Sequence, residues 1–444
     1  MRRVCVIGAG SSGIAACQVL AARGIPYDCF ELGSQVGGNW RYLNDNGLSS
    51  AYRSLHINTS RQVMEYASYP MPRDSPDYPG HAHIARYFDA FVDHFGLRES
   101  IAFRTEVIDV APGTAGRWTV RCRHRDTQRE TAGTYDAVLV ANGHHWKARW
   151  PCPSLPGTET FTGTQTHAHD YRTPESFTDQ RVLVLGVGNS ACDIAVETSR
   201  VSRRTVLAMR RGAHIIPKYL FGRPTDHLTN SWLARAPHRV QGLGLELLLR
   251  LSRGRLSDYG LPTPSHRVMA AHPTISDDLL TRLGHGDIVV RPAPLRLEAH
   301  RVVFEDGTAE DIDAIVYATG YDISFPFLKA ELIDPGGNDL NLYHRVVAPD
   351  QTDLYFIGLI QPLGAIMPLA EAQAHWVADL LLGSCTLPPL EEMLSEITSY
   401  KGRVGRRYVA SPRHTIQVDA RAYTRELARE RTRGAARAGK RAAH

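Results

Sequence analysis

Arg3-Val-Cys-Val-Ile-Gly-Ala-Gly-Ser-Ser-Gly13 stands at the start of the chain, followed by an apolar-periodic stretch to Ala22 and then by Tyr27-Asp-Cys-Phe-Glu31. The order is strand, Gly turn, helix, strand. Gly8 permits a tight bend, Gly10 lets backbone approach a pyrophosphate, and Gly13 allows close helix packing, with Ala9, Ser11 and Ser12 completing the turn. Phosphates would then sit on a helix N-terminus, where unpaired N–H groups and the dipole favour negative charge. Glu31 ends the second strand 23 residues after Gly8. A carboxylate there accepts hydrogen bonds from a ribose diol and repels a 2′-phosphate, which points to FAD or NAD. A Gly-rich turn beside a solvated Glu is the plainer alternative, and the strand before and helix after the turn weigh against it.

The same module returns as Arg181 to Leu185, then Gly186-Val-Gly188-Asn189-Ser190-Ala191, then Cys192 to Thr198, then Thr205 to Met209. Asn189, Ser190, Ala191 and Asp193 join the two glycines as candidate cofactor-binding residues. Where the first module has an acid, this one has Met209 followed by Arg210 and Arg211. Guanidinium groups pair with phosphate and stack on adenine, so the second site is expected to prefer NADPH, against the alternative of a solvated basic pair. Each module is followed by a strand ending in Ala-x-Gly, Asp136-Ala-Val-Leu-Val-Ala-Asn-Gly143 and Asp313-Ala-Ile-Val-Tyr-Ala-Thr-Gly320. The doubling predicts an α/β fold with two Rossmann-like dinucleotide-binding domains of the three-layer type, the NADPH domain inserted in the FAD domain. The expected limits are 1–167 and 286–430 for the FAD domain, 168–285 for the NADPH domain and 431–444 for a basic tail. Residues 219–285, with the apolar segment Leu243 to Leu251, read as a helical insertion in the second domain.

Composition narrows the classes. The 444 residues exceed one ordinary core, and 43% apolar residues permit two. The excess of 51 Lys and Arg over 46 Asp and Glu is supplied entirely by Arg431, Arg433, Arg437, Lys440 and Arg441, so no nucleic-acid partner is indicated. That tail, rich in Ala, Gly and Arg, is expected to be disordered. Seven dispersed cysteines without a C-x-x-C spacing disfavour a disulfide framework, a zinc site and a dithiol pair, and suit a reducing cytoplasm. Arg2 and Arg3 before a short apolar run imitate a signal peptide, but the run breaks at Gly8 as an entering strand does. No stretch reaches about 18 uninterrupted apolar residues, so no membrane span is expected. Among 20 His residues no pair has metal-ligand spacing with carboxylates.

Between the modules stands Phe161-Thr-Gly163-Thr-Gln-Thr-His167-Ala-His-Asp-Tyr171. It resembles the F-x-G-x-x-x-H-x-x-x-[YF] signature of the flavin-containing monooxygenases, class B flavoprotein oxygenases. Gly37-Gly38-Asn39-Trp40, Asn58-Thr59-Ser60, Gly143-His144-His145, Ala318-Thr319-Gly320-Tyr321, Ile360-Gln361-Pro362-Leu363-Gly364-Ala365 and Gly383-Ser-Cys-Thr-Leu-Pro388 look like family blocks in family order. The resemblance runs from about residue 3 to about 430. Ala168 replaces a common Ser of the signature, and the charged end lacks the hydrophobic anchor of eukaryotic relatives, which suggests a soluble, prokaryote-like form.

The resemblance implies that NADPH reduces the flavin, that O2 adds at flavin carbon 4a, and that the hydroperoxide oxygenates a soft nucleophile such as an amine or a sulfide. It makes Asn58 the candidate catalytic donor beside the flavin, because an amide donates without bringing an acidic proton; capping of a helix by Asn58-Thr-Ser is the alternative. Asn39, Trp40, Thr59 and Val107 join the cofactor-binding set, and Thr319 and Gln361 are expected to line the flavin or its approach. Phe161, Gly163, His167 and Tyr171 are expected to serve as structure and hinge between domains, in preference to a general-base role for His167. A Baeyer–Villiger monooxygenase acting on ketones, an NADPH oxidase releasing H2O2, a disulfide reductase and a flavin-bound sensor are the rival readings. A homodimer stays open.

Overall fold

A computed structural model describes residues 2–229, 238–409, 411 and 414–442. The first module is strand β1 (Val4–Ile7), helix α1 (Ser11–Ala22) and strand β2 (Tyr27–Phe30), with strand β3 (Ala137–Val140) returning beside β1. The second is β4 (Arg181–Leu185), α2 (Asn189–Thr198) and β5 (Arg204–Ala208), with β6 (Ala314–Tyr317) returning beside β4. β1 and β3 are buried along their whole length, as parallel strands covered on both faces must be. α1 buries an unbroken run from Gly13 to Leu20, and Gly24 closes it with φ of +62°.

Two compact units result. The first comprises residues 1–49, 61–147 and 322–444, and the second comprises 50–60 and 148–321. In the first unit the five-stranded sheet runs Leu354–Phe356, β3, β1, β2, Ile101–Ala102, all parallel. In the second it runs Thr164–His167, β6, β4, β5, Ile288–Arg291, again all parallel. The duplication also reaches beyond the two modules. Each unit carries an antiparallel three-stranded meander between its short edge strand and its returning strand: Thr105–Pro112, Trp118–His124 and Glu130–Tyr135 in one, Pro294–Glu298, Arg301–Phe304 and Ala309–Asp311 in the other.

Two expectations change. The limits drawn at 167/168 and 285/286 cut through one sheet, because Thr164–His167 pairs with β6 and Ile288–Arg291 pairs with β5. Pairing partners distant in sequence, and the segment 50–60, move the second unit's borders outward. Of the segment expected to be a disordered tail, residues 431–442 are part of the helix Ala420–Ala442, and 443–444 lie outside the described residues. That helix is tied down where Thr386 N–H donates to Gly434 O at 3.1 Å and Arg437 Nε donates to Thr386 O at 2.9 Å. The segment 219–285 carries the helices Thr225–Thr229, His238–Arg253 and Leu279–His285 together with the short strands Tyr219–Leu220, Arg223–Pro224 and Thr274–Ile275, and its residues 230–237 lie outside the described set. Leu245 and Leu249 of the middle helix pack on Ile216, Leu220 and Val268.

Candidate functional site

The two Gly turns share one geometry. Gly8 N–H donates to Phe30 O at 2.8 Å, and Gly186 N–H to Ala208 O at 2.9 Å. Gly8 has φ of +98° and Gly186 +128°, a region that disfavours side chains. A Cβ on Gly8 would lie 2.8 Å from Ala141 O, and one on Gly186 2.6 Å from Ala318 O. Those carbonyls belong to the two Ala-x-Gly strand ends, so each returning strand presses on its own turn. Neither α1 nor α2 has a side-chain cap at its start, which leaves the first-turn N–H groups for an anionic ligand. The turns thus fit dinucleotide phosphates.

Glu31, buried in the first unit, accepts a hydrogen bond from Ala9 N–H at 2.7 Å and from Gly33 N–H at 2.8 Å. Burial raises its pKa, while the Ala9 and Gly33 N–H groups and the Asn46 side chain oppose the shift. The carboxylate therefore braces the turn from both sides. Gly37 N–H donates to Ala9 O at 2.9 Å, and a Cβ on Gly38 would lie 3.1 Å from Gly10 Cα. The glycines of the Gly37-Gly38-Asn39-Trp40 block are thus the part that seats the turn, while Asn39 and Trp40 sit half-buried in the short helix Gly38–Trp40. Val107 packs into the core with Val110, Trp118 and Val140, which leaves only its backbone for a cofactor. Burial pushes the His144 ring down to about 4, with the Gln361 side chain opposing the shift.

In the second unit Met209 occupies Glu31's offset and is buried, whereas Arg210 and Arg211 are exposed. Neither guanidinium has a protein partner among the described residues, so both are free to meet a 2′-phosphate. A Cβ on Gly212 would lie 2.1 Å from Pro262 O, so the backbone leaving the Arg pair is held close against that loop. Ala191 is fully buried. Asn189 and Asp193 are already engaged: Asn189 Oδ1 accepts from Ile275 N–H at 2.7 Å, and the Asp193 carboxylate accepts from the Tyr52 hydroxyl. Burial raises the Asp193 pKa, against the Tyr52 hydrogen bond and the Lys218 charge. Ser190 is half-buried on the first turn of α2.

The signature residues build the second unit. Phe161 packs on Leu183, Ile315 and Tyr317; a Cβ on Gly163 would lie 2.4 Å from Asp313 O; and the Tyr171 hydroxyl donates to Glu197 on α2. His167 is fully buried and its Nδ1 accepts from His169 N–H at 3.0 Å. Burial and the neighbouring His169 push its pKa down to about 4, so the ring is neutral near pH 7.

Asn58 and Thr59 lie half-buried in the 50–60 segment of the second unit. The adjoining Ser60 is fixed by Asp226 Oδ2, which accepts its N–H at 2.6 Å, and by His227 Nε2 at 3.0 Å from its Oγ. No hydrogen bond to protein engages Asn58 among the described residues, so it caps no helix and its amide is open to a ligand. Thr319 also belongs to the second unit, three residues before the chain re-enters the first unit at Asp322, and its hydroxyl donates to Arg149 O.

Sequence reasoning missed Gly358 and Thr274. Gly358 ends the outer strand of the first sheet with φ of +76°, and a Cβ there would lie 1.9 Å from Ser12 Oγ. Its pattern, Asp353 to Gly358 with an apolar middle, is the third copy of a strand that ends on Gly. Thr274 had no such signal. One trio of metal-capable groups exists among the described residues, His344, Glu396 and Glu426. Arg345 at 3.1 Å and Arg403 at 3.6 Å from Glu396 Oε1 already neutralise it.

Among the described residues no helix is long and apolar enough to cross a membrane. The family model described as flavin-binding monooxygenase-like matches residues 1–433. The chain is 39% identical to flavin-containing monooxygenase 5 of Oryctolagus cuniculus over 432 residues, covering 94% of this chain and 80% of that one. It is 34% identical to dimethylaniline monooxygenase (N-oxide-forming) 2 of Mus musculus, covering 97% and 82%. The solved S-allyl-L-cysteine S-oxygenase from Allium sativum superposes with a TM-score of 0.72 at 25% identity, covering 97% of this chain and 88% of that one. With two unlike dinucleotide cradles and a match over nearly its whole length, the chain belongs to the flavin-containing monooxygenases, oxidoreductases that use FAD, NADPH and O2.

Proposed function

We propose that the chain oxygenates a nucleophilic nitrogen or sulfur atom of a small organic molecule, with FAD on the turn at Gly8–Gly13 and NADPH on the turn at Gly186–Ala191. The observation that carries the placement is the contrast at equal offset: buried Glu31 closes the first turn to a 2′-phosphate, and the unpartnered Arg210 and Arg211 invite one at the second. The named N-oxide-forming and S-oxygenating relatives support the substrate class.

When bound, the flavin supplies the activation of O2. The chain's own residues hold its phosphates on the α1 N-terminus, brace the turn through Glu31 and Gly37, and keep His167 neutral and buried. We assign Asn58 as the hydrogen-bond donor of the oxygenation step, which its unengaged amide supports. A homodimer and a cytoplasmic location belong to the same proposal; the seven free cysteines support a reducing compartment, and light scattering tests the dimer.

The test is NADPH consumption by FAD-loaded protein with a tertiary amine, a thioether and a ketone, with products identified. An N-oxide or a sulfoxide in step with NADPH is the expected result. An ester from the ketone alone would place the chain among Baeyer–Villiger catalysts, and H2O2 equal to the NADPH consumed would make it an oxidase. Asn58→Ala should lower oxygenated product per NADPH and raise H2O2 while FAD stays bound; unchanged coupling would remove Asn58 from the chemistry.

A further inference from the structure

The middle residue of a dinucleotide turn has a carbonyl that must be kept off the phosphates. A trans peptide is planar, with its C=O and the following N–H pointing opposite ways. Holding the carbonyl of the middle residue on one side therefore aims the N–H of the second glycine to the other. In the first turn Gly37 N–H holds Ala9 O at 2.9 Å, and Glu31 holds Ala9 N–H at 2.7 Å. Both ends of the middle residue are fixed, one of them by backbone.

The second turn is held differently. Met209 stands in Glu31's place and offers no acceptor, and among the described residues Val187 N–H donates to no protein group. Val187 O accepts from Thr274 Oγ1 at 2.7 Å, supplemented by the weak Cys192 Sγ contact at 3.8 Å. Thr274 is buried in the short strand Thr274–Ile275, which pairs with Ile215–Ile216 and belongs to the insertion. The next residue, Ile275, donates its N–H to Asn189 Oδ1 at the start of α2.

We propose that Thr274 is a positioning residue for the nicotinamide dinucleotide: its hydroxyl pins the Val187 carbonyl so that Gly188 N–H faces the pyrophosphate. The inference rests on the placement of NADPH at the turn 186–191. The pyrophosphate is common to NADP⁺ and NAD⁺, so loss of the hydroxyl affects both alike, whereas the Arg210–Arg211 pair acts only on the 2′-phosphate. One hydrogen bond of this kind corresponds to about a three- to tenfold change in affinity.

The experiment is calorimetric titration of FAD-loaded protein with NADP⁺ and with NAD⁺, neither of which turns over. Thr274→Val is expected to weaken both by the same factor, about three- to tenfold, with FAD retained, and Thr274→Ser is expected to restore both. Should Thr274→Val not hold its fold, Thr274→Ala gives the same readout, because the backbone bond from Thr274 N–H to His214 O is untouched. Unchanged affinity for both dinucleotides, loss of NADP⁺ alone, or failure of Ser to restore binding would overturn the proposal. The double variant Arg210→Ala/Arg211→Ala separates the two levels. If it loses NADP⁺ and keeps NAD⁺ while Thr274→Val changes nothing, only the Thr274 inference fails. If it keeps NADP⁺ affinity, the cofactor placement itself fails.

Discussion

Gly13→Ala adds one methyl group to helix α1, and the structure says where it goes. The new Cβ would stand 1.8 Å from Gly8 O and 2.8 Å from Gly8 C, against an ordinary contact that begins near 3.4 Å. Both partners are backbone, so no rotamer change relieves the overlap. About 1.6 Å of separation is required between the turn and the helix start, the shortfall of the 1.8 Å approach from 3.4 Å. α1 cannot retreat cheaply, because Gly13 through Leu20 are all buried, and overpacking of this kind costs about 1–3 kcal/mol. A shift of that size stretches phosphate hydrogen bonds of about 2.9 Å beyond reach. Loss of two charge-assisted bonds, at about 1.5–3 kcal/mol each, weakens FAD binding by roughly 10²–10⁴-fold. The assay is reconstitution of apoprotein, with flavin absorbance per protein after gel filtration and the FAD dissociation constant. Ala191→Gly is the paired control: that position already accommodates a methyl, so the change should cost only about 1 kcal/mol of helix propensity and leave NADP⁺ affinity within about threefold. Full flavin content in Gly13→Ala, with near-native affinity, would refute the placement of FAD on this turn.

Three further outcomes follow from particular contacts. Glu31→Gln keeps one acceptor oxygen for two N–H donors, Ala9 and Gly33, and turns an NH2 toward one of them. FAD affinity should fall roughly 10- to 100-fold in titration of the apoprotein, and an unchanged value would remove Glu31 from the site. His167 has its folded pKa near 4 and an unfolded value near 6.5, so the unfolded chain takes up the proton first. Stability should be fully present above about pH 6.5 and decline as pH falls toward 4, by on the order of 2–4 kcal/mol, with a shallower decline in His167→Gln. Equal pH slopes for the two proteins in denaturant melts would contradict this. Truncation after Glu430 removes Arg437 and leaves that buried carboxylate without its cation; it also breaks the Arg431–Asp379 bridge of 2.7 Å. A melting temperature lowered by several degrees is expected, while a truncated protein as stable as the full chain would restore the disordered-tail reading.

The turns were legible because their requirements are local: a positive φ at Gly8 and Gly186, and an abutting carbonyl at Ala141 and Ala318, leave few residue choices. The Ala-x-Gly strand ends were legible for the same reason. What could not be read is where distant segments pair. Thr164-Gln-Thr-His167 is too polar to announce itself as a sheet strand, yet it lies beside β6, and that pairing sets the domain border. The meander strands are half-exposed and dissimilar in sequence, so the duplication beyond each Gly turn was hidden. The last helix misled through composition. Its charges suggested solvation, while Gly434 fits against Cys385 at a distance no side chain would allow, with an added Cβ 2.0 Å from Sγ. Asn58 and Thr319 were assigned by resemblance alone, and only contacts could separate the open amide of the first from the engaged hydroxyl of the second.

The unequal support of the two turns gives the insertion a physical role. An acid 23 residues after the first glycine holds Ala9 N–H in the first unit, and in the proposed placement of FAD it also closes that site to a 2′-phosphate. A site that accepts a 2′-phosphate must give up that acid, since the two negative charges would repel, and with the acid goes the brace on the middle of the turn. In the second unit Val187 N–H has no such brace among the described residues, and the turn is held at its carbonyl, by Thr274 on Val187 O, and at the start of α2, by Ile275 N–H on Asn189, both in the segment between β5 and Ile288–Arg291. The corresponding stretch of the first unit sends Gly37 to Ala9 O through backbone alone. Substitution is therefore tolerated at different places in the two halves. The first turn is vulnerable at its glycines and one acid, whereas the second is vulnerable also at Thr274, a residue far along the chain that the fold returns to Val187.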